Sequence, residues 1–387
     1  MADFSHLDRL LESFVENGLP GCSCAVAKDG KIIYESYHGW ADVERRRKTD
    51  ENTVYRLFSM TKVIICTAAM MLFERGKFLL NDPLSDYFPE FKDAKVLRTG
   101  STGEQYEAPP AKPYRVKHAF SMGVGMPYAG NGCPTSRAML EVKKKLTEKY
   151  GKYDLLTEIP EMIKLPHTCD PGEHFVYGYG HELVAGLIQL CSGMKVSEFL
   201  QKEIFDPLGM TSTGYRYFGD IRERMVDMAL RSEDGTLRAG HGMLDENFEP
   251  DAILELGGAG LFSTVRDYLK FASMLACGGI ADERQYIGRK TIDLMRQNQL
   301  NETARKDLGD TYLGGYGYGL GVRTLMSPAE GGCSASVGEF GWTGAAGTYT
   351  SIDPEEKLAI VYMHQQMPNM EEYYHLRVRA AVYGALH

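Results

Sequence analysis

The sequence predicts a mixed α/β (α+β) fold, in which a discontinuous domain with an antiparallel sheet is interrupted by an inserted, mostly helical domain. Three observations predict it: strand-like segments near both chain ends, helical patterns through most of residues 79–256, and a length of 387 residues, which is enough for more than one domain. We therefore expect residues 1–78 and 257–387 to form the sheet domain, flanked by helices, and residues 79–256 to form the helical domain. The cleft between them is the expected place for a site.

The first 75 residues predict a helix, a hairpin and a buried helix. Residues 4–16 carry apolar side chains at helical spacing, and Gly18 ends that pattern. Two strand-like runs, 22–28 and 31–37, are joined by Asp29-Gly30, a strong hairpin signal. Residues 60–75 contain no Gly or Pro and are apolar around nearly the whole helical circumference, which predicts a helix buried on all sides.

The rest of the chain changes from helical patterns to strand patterns. Helices are predicted at 137–149, 155–162, 181–191, 196–205, 265–276 and 290–297. A β-meander is then predicted at 317–323, 338–342, 348–352 and 358–364, followed by a helix at 371–386. These late strands and the early hairpin are expected to share one sheet.

Composition and charge exclude several functional classes. A net charge of −9 and a pI near 5.7 argue against a nucleic-acid or anionic-membrane partner. The N-terminus has no signal-peptide pattern, and the longest apolar run, 63–73, is too short to cross a bilayer, so a cytoplasmic location is expected. The eight cysteines include no Cys-x-x-Cys pair, which favours reduced thiols and predicts neither a metal site nor a cofactor. Nothing in the sequence indicates an oligomeric state.

A Ser-x-x-Lys pair stands at the start of the buried helix. We expect the helix to begin at Ser59, a favoured N-cap, with Lys62 on the same face one turn deeper. This indicates a nucleophile whose partner amine, desolvated toward its neutral form, helps to take the serine proton. The alternative is a capping serine beside a lysine that extends to solvent. A second such pair, Ser192 and Lys195, has a glycine after the serine and is interpreted as a helix end and turn.

Two more segments carry functional side chains. Residues 171–181 form a turn that enters a helix and contain Tyr177 and Tyr179, whose alternative role is aromatic core packing. Residues 338–347 are rich in glycine, which would let a strand backbone approach a ligand closely.

Together, these three segments resemble the serine β-lactamase-like hydrolases, which include class C β-lactamases, D,D-peptidases and family VIII carboxylesterases. The resemblance extends to residues 79–87, 205–210, 257–263 and 341–354. It implies a β-lactamase/D,D-peptidase-like fold, with Ser59 as nucleophile and Lys62 with Tyr177 as the general-base pair. It further implies an oxyanion hole made by the backbone N–H groups of Ser59 and Ala345.

The departures from the family pattern bear on the substrate. The second motif usually ends in Asn and the third usually begins with a cation, but Tyr179 and Trp342 occupy those positions here. Their loss favours neutral, apolar acyl esters as small-molecule substrates, and the resemblance is closest to family VIII carboxylesterases. Thr343 is nearer to the β-lactamase form, which implies some residual β-lactam turnover. The residues expected to contact substrate are Trp342, Thr343, Gly344, Tyr179 and Tyr128.

Other functions stay open at the level of sequence. On the same scaffold the chain could be a β-lactamase, a D-aminopeptidase or D,D-peptidase, an acyltransferase, or a catalytically silent binding protein. An α/β-hydrolase is disfavoured because no Gly-x-Ser-x-Gly motif occurs. His181-Glu182 lacks the second histidine of a zinc-protease motif and is interpreted as helix surface or a contact between the domains.

Overall fold

Residues 2–309 and 313–386 are described by the computed structural model; Met1, residues 310–312 and His387, which fall in the predicted sheet domain, lie outside them. The helices are α1 (Ser5–Glu16), α2 (Thr61–Glu74), α3 (Val116–Phe120), α4 (Pro134–Tyr150), α5 (Leu155–Ile163), α6 (Gly180–Ser192), α7 (Val196–Leu200), α8 (Asp206–Leu208), α9 (Ile221–Arg224), α10 (Val265–Ala276), α11 (Arg289–Met295), α12 (Glu302–Gly309) and α13 (Glu371–Ala385). The strands are β1 (Gly21–Lys28), β2 (Lys31–Gly39), β3 (Val54–Arg56), β4 (Val96–Thr99), β5 (Gln105–Ala108), β6 (Met228–Arg231), β7 (Leu237–Gly240), β8 (Phe262–Thr264), β9 (Ile280–Ala281), β10 (Arg284–Gln285), β11 (Tyr316–Tyr318), β12 (Arg323–Leu325), β13 (Phe340–Thr343), β14 (Tyr349–Asp353), β15 (Leu358–Met363) and β16 (Gln366–Met367).

Within the described residues, seven strands form one sheet in the order β11-β12-β13-β14-β15-β1-β2. Every neighbouring pair is antiparallel, and Ala25 of β1 stands opposite Val361 of β15. Strands from the two ends of the chain therefore lie side by side in one sheet. This confirms the predicted fold class, whereas the domain boundaries at 78/79 and 256/257 stay predictions.

Alternate side chains of β1 enter two different cores, as the two-residue period of a strand requires. Ala25 and Ala27 belong to the larger core, which also contains the buried side chains of α2 and α10. Cys24 and Val26 belong to a second core on the opposite face, between the sheet and helices α1 and α13. Helices thus cover both faces of the sheet and hold its edges in a fixed place.

Helix α2 is buried as the sequence predicts. All of its residues from Thr61 to Leu72 are buried, and it packs against α6. Lys62 is the one charged side chain in that stretch. Since a buried ammonium is costly without hydrogen-bond partners, the surroundings of Lys62 have to supply them.

The predicted strand at 317–323 is wrong, because the chain turns back within it. The structure has two short antiparallel strands there, β11 and β12. The Gly319 N–H donates to the Val322 carbonyl at 2.8 Å, and Gly321 has a φ of +86°. The left-handed backbone at Gly321 reverses the chain, and apolar periodicity does not register such a turn.

Among the described residues, no single helix has the length and hydropathy of a membrane span; α6 and Val196–Leu208, which meet at a 74° bend, would meet the test only as a pair, by length and composition. The described residues also contain no group of three or more His, Cys, Asp or Glu side chains that could hold a metal ion.

Candidate active site

Ser59 lies in a 3₁₀ turn, Phe58–Met60, directly before α2. The prediction that Ser59 caps the helix is wrong: Met60 is the N-cap residue and no side chain caps the helix. Phe58 has a φ of +45°, a conformation that is strained for a bulky side chain and that is often found beside functional residues. The turn leaves Ser59 half-buried, with its hydroxyl facing Lys62 and Tyr177.

The Lys62 ammonium is fully buried and makes three hydrogen bonds. Its Nζ donates to Ser59 Oγ at 3.0 Å, to the Tyr128 hydroxyl at 2.8 Å and to the Gly258 carbonyl at 2.6 Å. All three ammonium donors are therefore used. Burial acts to lower the pKa of Lys62, but the oxygens of Tyr128 and Tyr177 outweigh it and raise this pKa above its ordinary value. This direction argues against the expected neutral amine and favours the ammonium form of Lys62.

The Tyr177 hydroxyl lies where a base for Ser59 has to be. It is hydrogen-bonded to Ser59 Oγ at 2.7 Å and accepts the indole N–H of Trp342 at 3.0 Å. Lys62 Nζ lies 4.8 Å from the centroid of the Tyr177 ring. The Tyr177 oxygen is therefore within hydrogen-bond reach of Ser59 and is held in place by the Trp342 indole.

The turn after β13 brings Ala345 close to Ser59. The Gly344 N–H donates to the Thr348 carbonyl at 2.7 Å, and the Thr348 hydroxyl donates to the Leu57 carbonyl at 2.9 Å. A Cβ on Gly344 would lie 2.1 Å from Thr348 Oγ1 and 2.3 Å from the Leu57 oxygen. Gly344 is therefore buried against the segment before Ser59 and does not line the cavity, so its predicted contact with substrate is wrong.

Ser59 opens into a cavity of about 410 Å³, called here the Ser59 cavity. Its walls include the apolar side chains of Phe175, Leu308, Leu313 and Trp342, together with Thr343 and Ala345. In the part of the chain that the structure describes, neither Ser59 nor Ala345 donates its backbone N–H to a protein acceptor. Two N–H groups are thus available at the mouth of the cavity for an oxyanion.

Only some of the remaining residues predicted to contact substrate line the Ser59 cavity. Trp342 and Thr343 line the cavity, whereas the Tyr128 hydroxyl binds Lys62 and its side chain is not part of the wall. Tyr179 is only 2% exposed and its hydroxyl donates to Glu158 at 2.8 Å, so its predicted contact with substrate is wrong. Tyr179 is the N-cap residue of α6, where the loop becomes helix, and its side chain turns into the core instead of the cavity.

Sequence reasoning missed two residues behind Lys62. Gly258 supplies the carbonyl acceptor, and Glu182 accepts the backbone N–H groups of Gly257 and Gly258. Burial raises the pKa of Glu182 to about 7, although the Lys62 charge opposes that shift. The glycine-rich run at 257–260 is visible in the sequence, but no pattern there links it to Lys62.

The chain is similar to known proteins over most of its length. The chain matches the family model described as Beta-lactamase over residues 7–384. It is similar to Esterase EstB of Burkholderia gladioli, with 25% identity over 362 residues, 90% of this chain and 86% of that protein. It is also similar to the ML-236A carboxylate methylbutanoyltransferase mlcH of Penicillium citrinum, with 26% identity over 367 residues, 89% and 84% of the two chains.

A solved structure with a similar fold is that of simvastatin synthase (LovD) from Aspergillus terreus, in its unliganded selenomethionyl form. Its TM-score to this chain is 0.84, with 21% identity and 99% of each chain covered. At that level of identity the likeness concerns the fold.

Proposed function

The chain belongs to the beta-lactamase family, and from that premise we propose that it is a serine carboxylesterase that cleaves neutral acyl esters through a Ser59 acyl-enzyme. The family is one of serine hydrolases on the β-lactamase fold, with esterases and acyltransferases among the relatives of this chain. The observation that carries the proposal is the hydrogen bond from Trp342 to Tyr177, because it puts an indole next to the base where related amidases carry a cation.

The charges around the cavity favour an uncharged substrate. Lys62 is fully buried and its three donors are bound to protein oxygens, so it does not face a substrate carboxylate. Arg323 lines the cavity but donates to Glu339 and to the Thr350 carbonyl, each at 3.2 Å. The walls also include Asp307, Glu371 and Asn369, and two carboxylates disfavour an anionic substrate. The rest of the wall is largely apolar, which suits the acyl or alkyl part of an ester.

In the acylation step, Tyr177 takes the proton of Ser59 while Ser59 Oγ bonds to the ester carbonyl carbon. The carbonyl oxygen becomes an oxyanion that accepts the backbone N–H groups of Ser59 and Ala345. The bond to the alkoxy oxygen then breaks, and that oxygen takes the proton from Tyr177 and leaves as an alcohol. Lys62 stays an ammonium throughout and stabilises the negative charge on Tyr177.

In the deacylation step, a water molecule enters where the alcohol has left. Tyr177 takes one of its protons as the water oxygen attacks the acyl carbonyl carbon, and the same two N–H groups hold the oxyanion. The bond to Ser59 Oγ breaks, Ser59 regains its proton from Tyr177, and the carboxylic acid leaves. In both steps, Tyr177 thus accepts a proton from the nucleophile and returns it to the leaving group.

The test is hydrolysis of p-nitrophenyl butanoate by the wild type and two serine variants. Ser59→Ala removes the nucleophile, whereas Ser192→Ala changes the other serine of a Ser-x-x-Lys pair. We expect Ser59→Ala to lose activity to the background rate and Ser192→Ala to stay within about twofold of wild type. Equal activity in wild type and Ser59→Ala would contradict the proposal.

A second candidate is acyl transfer, favoured by the similarity to the methylbutanoyltransferase mlcH. The chemistry is the same up to the acyl-enzyme, after which an alcohol replaces water. Adding a primary alcohol to the assay and measuring the new ester against the free acid distinguishes the two. β-Lactam or D-peptide cleavage is the weaker alternative, because Trp342 occupies the position of the cation that binds the carboxylate of those substrates.

A further inference from the structure

The shortest of the Lys62 contacts is to a backbone carbonyl that belongs to none of the three motif segments. Gly258 O accepts from Lys62 Nζ at 2.6 Å, compared with 2.8 Å for Tyr128 and 3.0 Å for Ser59. The ammonium lies between this carbonyl and the two hydroxyls. The position of the Gly258 carbonyl therefore determines the position of the Lys62 ammonium relative to Ser59.

The Glu182 carboxylate binds the backbone at Gly258. It lies in the first turn of α6, is 3% exposed, and accepts the backbone N–H groups of Gly257 and Gly258, the latter at 3.2 Å on both carboxylate oxygens. Helix α6 begins three residues after Tyr177. A single short segment thus carries both the base and the carboxylate that holds the Lys62 acceptor.

Gly258 has no room for a side chain. A Cβ there would lie 2.7 Å from Glu182 Oε1, 2.7 Å from the Tyr128 hydroxyl and 3.3 Å from Lys62 Nζ. The residue is therefore in contact with three polar groups at once. Glycine is what allows the backbone to pass between the carboxylate and the ammonium.

We infer that Glu182 is a positioning residue of the reaction, whose carboxylate fixes Gly258 so that the Gly258 carbonyl holds the Lys62 ammonium on Ser59. The inference rests on the proposed function. It adds to it a buried carboxylate behind the Lys62 acceptor, outside the lining of the Ser59 cavity.

Charged and titratable groups face Glu182 from several elements. They are Lys62 on α2, Tyr128 in the loop before α4, Lys143 on α4, Glu158 on α5, and Tyr179 and Tyr215. Glu182→Gln replaces one carboxylate oxygen with an NH₂ group, which cannot accept the Gly258 N–H. The pKa of Glu182 is raised to about 7, chiefly by burial, so in the wild type this carboxylate gains a proton as the pH falls through about 7.

The experiment measures the rate at which a fluorophosphonate labels Ser59 across the pH range, by intact-protein mass, in Glu182→Gln and Glu158→Gln. Glu158 is an equally buried carboxylate that binds Tyr179 and Lys143 and does not contact Gly258. We expect the wild-type labelling rate to fall as the pH decreases through about 7, and Glu182→Gln to label about 10- to 100-fold more slowly without that step. We expect Glu158→Gln, when folded, to keep the wild-type step.

Each outcome decides the inference. A wild-type rate in Glu182→Gln, or a slower rate that keeps the step near pH 7, would overturn it. If Glu182→Gln does not fold, Gly258→Ala replaces it: labelling at least about 10-fold slower is expected, and a wild-type rate would overturn the inference. Failure of the wild-type protein to label at Ser59 would instead contradict the proposed function.

Discussion

Trp342 donates its indole N–H to the Tyr177 hydroxyl at 3.0 Å. The ring centroids of the two side chains are 5.7 Å apart, and Tyr318 packs edge-on against Trp342 at 5.1 Å. The indole is therefore fixed by packing as well as by its hydrogen bond. Its N–H holds the oxygen of the proposed base, and its ring forms part of the wall of the Ser59 cavity.

Trp342→Phe tests that hydrogen bond. The variant keeps an aromatic wall but loses the N–H donor to the Tyr177 oxygen. We expect kcat/KM to fall about 10- to 100-fold because the proposed base is no longer held in place. Trp40→Phe, at the other tryptophan and outside the cavity lining, is the matched control; a wild-type kcat/KM in Trp342→Phe would exclude this role.

Tyr177→Phe tests the base itself. Losing the hydroxyl next to Ser59 removes the proton acceptor, so we expect kcat to fall about 100- to 10,000-fold in ester hydrolysis. Tyr179→Phe is the matched control, since it removes a buried hydroxyl bound to Glu158, and it should cost about 1 kcal/mol of stability without a comparable loss of kcat. Near-normal turnover by Tyr177→Phe would remove the phenol from the mechanism.

The sequence predicted the parts of this site that depend on local spacing. Ser59 and Lys62 are three positions apart, so any helical turn brings them close. The all-apolar pattern of α2 and the hairpin at Asp29-Gly30 are likewise local, and both are present in the structure. Each strand near a chain end has its own local pattern, and the helical stretch between the two groups predicts that they share one sheet.

The parts that sequence missed depend on distant contacts. The charge of Lys62 depends on Tyr128, 66 positions away, and on Gly258, 196 positions away. The predicted substrate contact of Tyr179 fails because the chain changes from loop to helix between Tyr177 and Tyr179. The two side chains therefore lie in different places, although they are only two positions apart in the sequence. Neither effect has a periodic signal in the sequence.

The raised pKa of Lys62 predicts how kcat/KM depends on pH under alkaline conditions. A group whose pKa is raised keeps its proton as pH increases, so Lys62 remains a cation well above neutrality. We expect kcat/KM to show no decline up to about pH 10, the reference pKa range of lysine. If kcat/KM of the wild type declines near pH 8 while the protein stays folded over the same range, Lys62 loses its proton there.

Gly344→Ala tests the approach of Ala345 to Ser59. The new Cβ would collide with Thr348 and with the Leu57 carbonyl, which pushes the turn away from the nucleophile. We expect a loss in kcat of about 100-fold or more, because the oxyanion N–H of Ala345 is displaced. Gly384→Ala is the control, since a Cβ at Gly384 meets no atom within 4 Å. Equal kcat for the two variants would argue against the close packing at Gly344.

The most direct measurement is the intact mass of the wild type and Ser59→Ala after brief exposure to a fluorophosphonate and, separately, to a penicillin, beside the turnover of a short-chain p-nitrophenyl ester. The account predicts one phosphonate adduct that maps to Ser59, ester turnover in the wild type alone, and little penicilloyl adduct. A long-lived penicilloyl adduct with poor ester turnover, or no adduct with either probe, would contradict a carboxylesterase that works through Ser59.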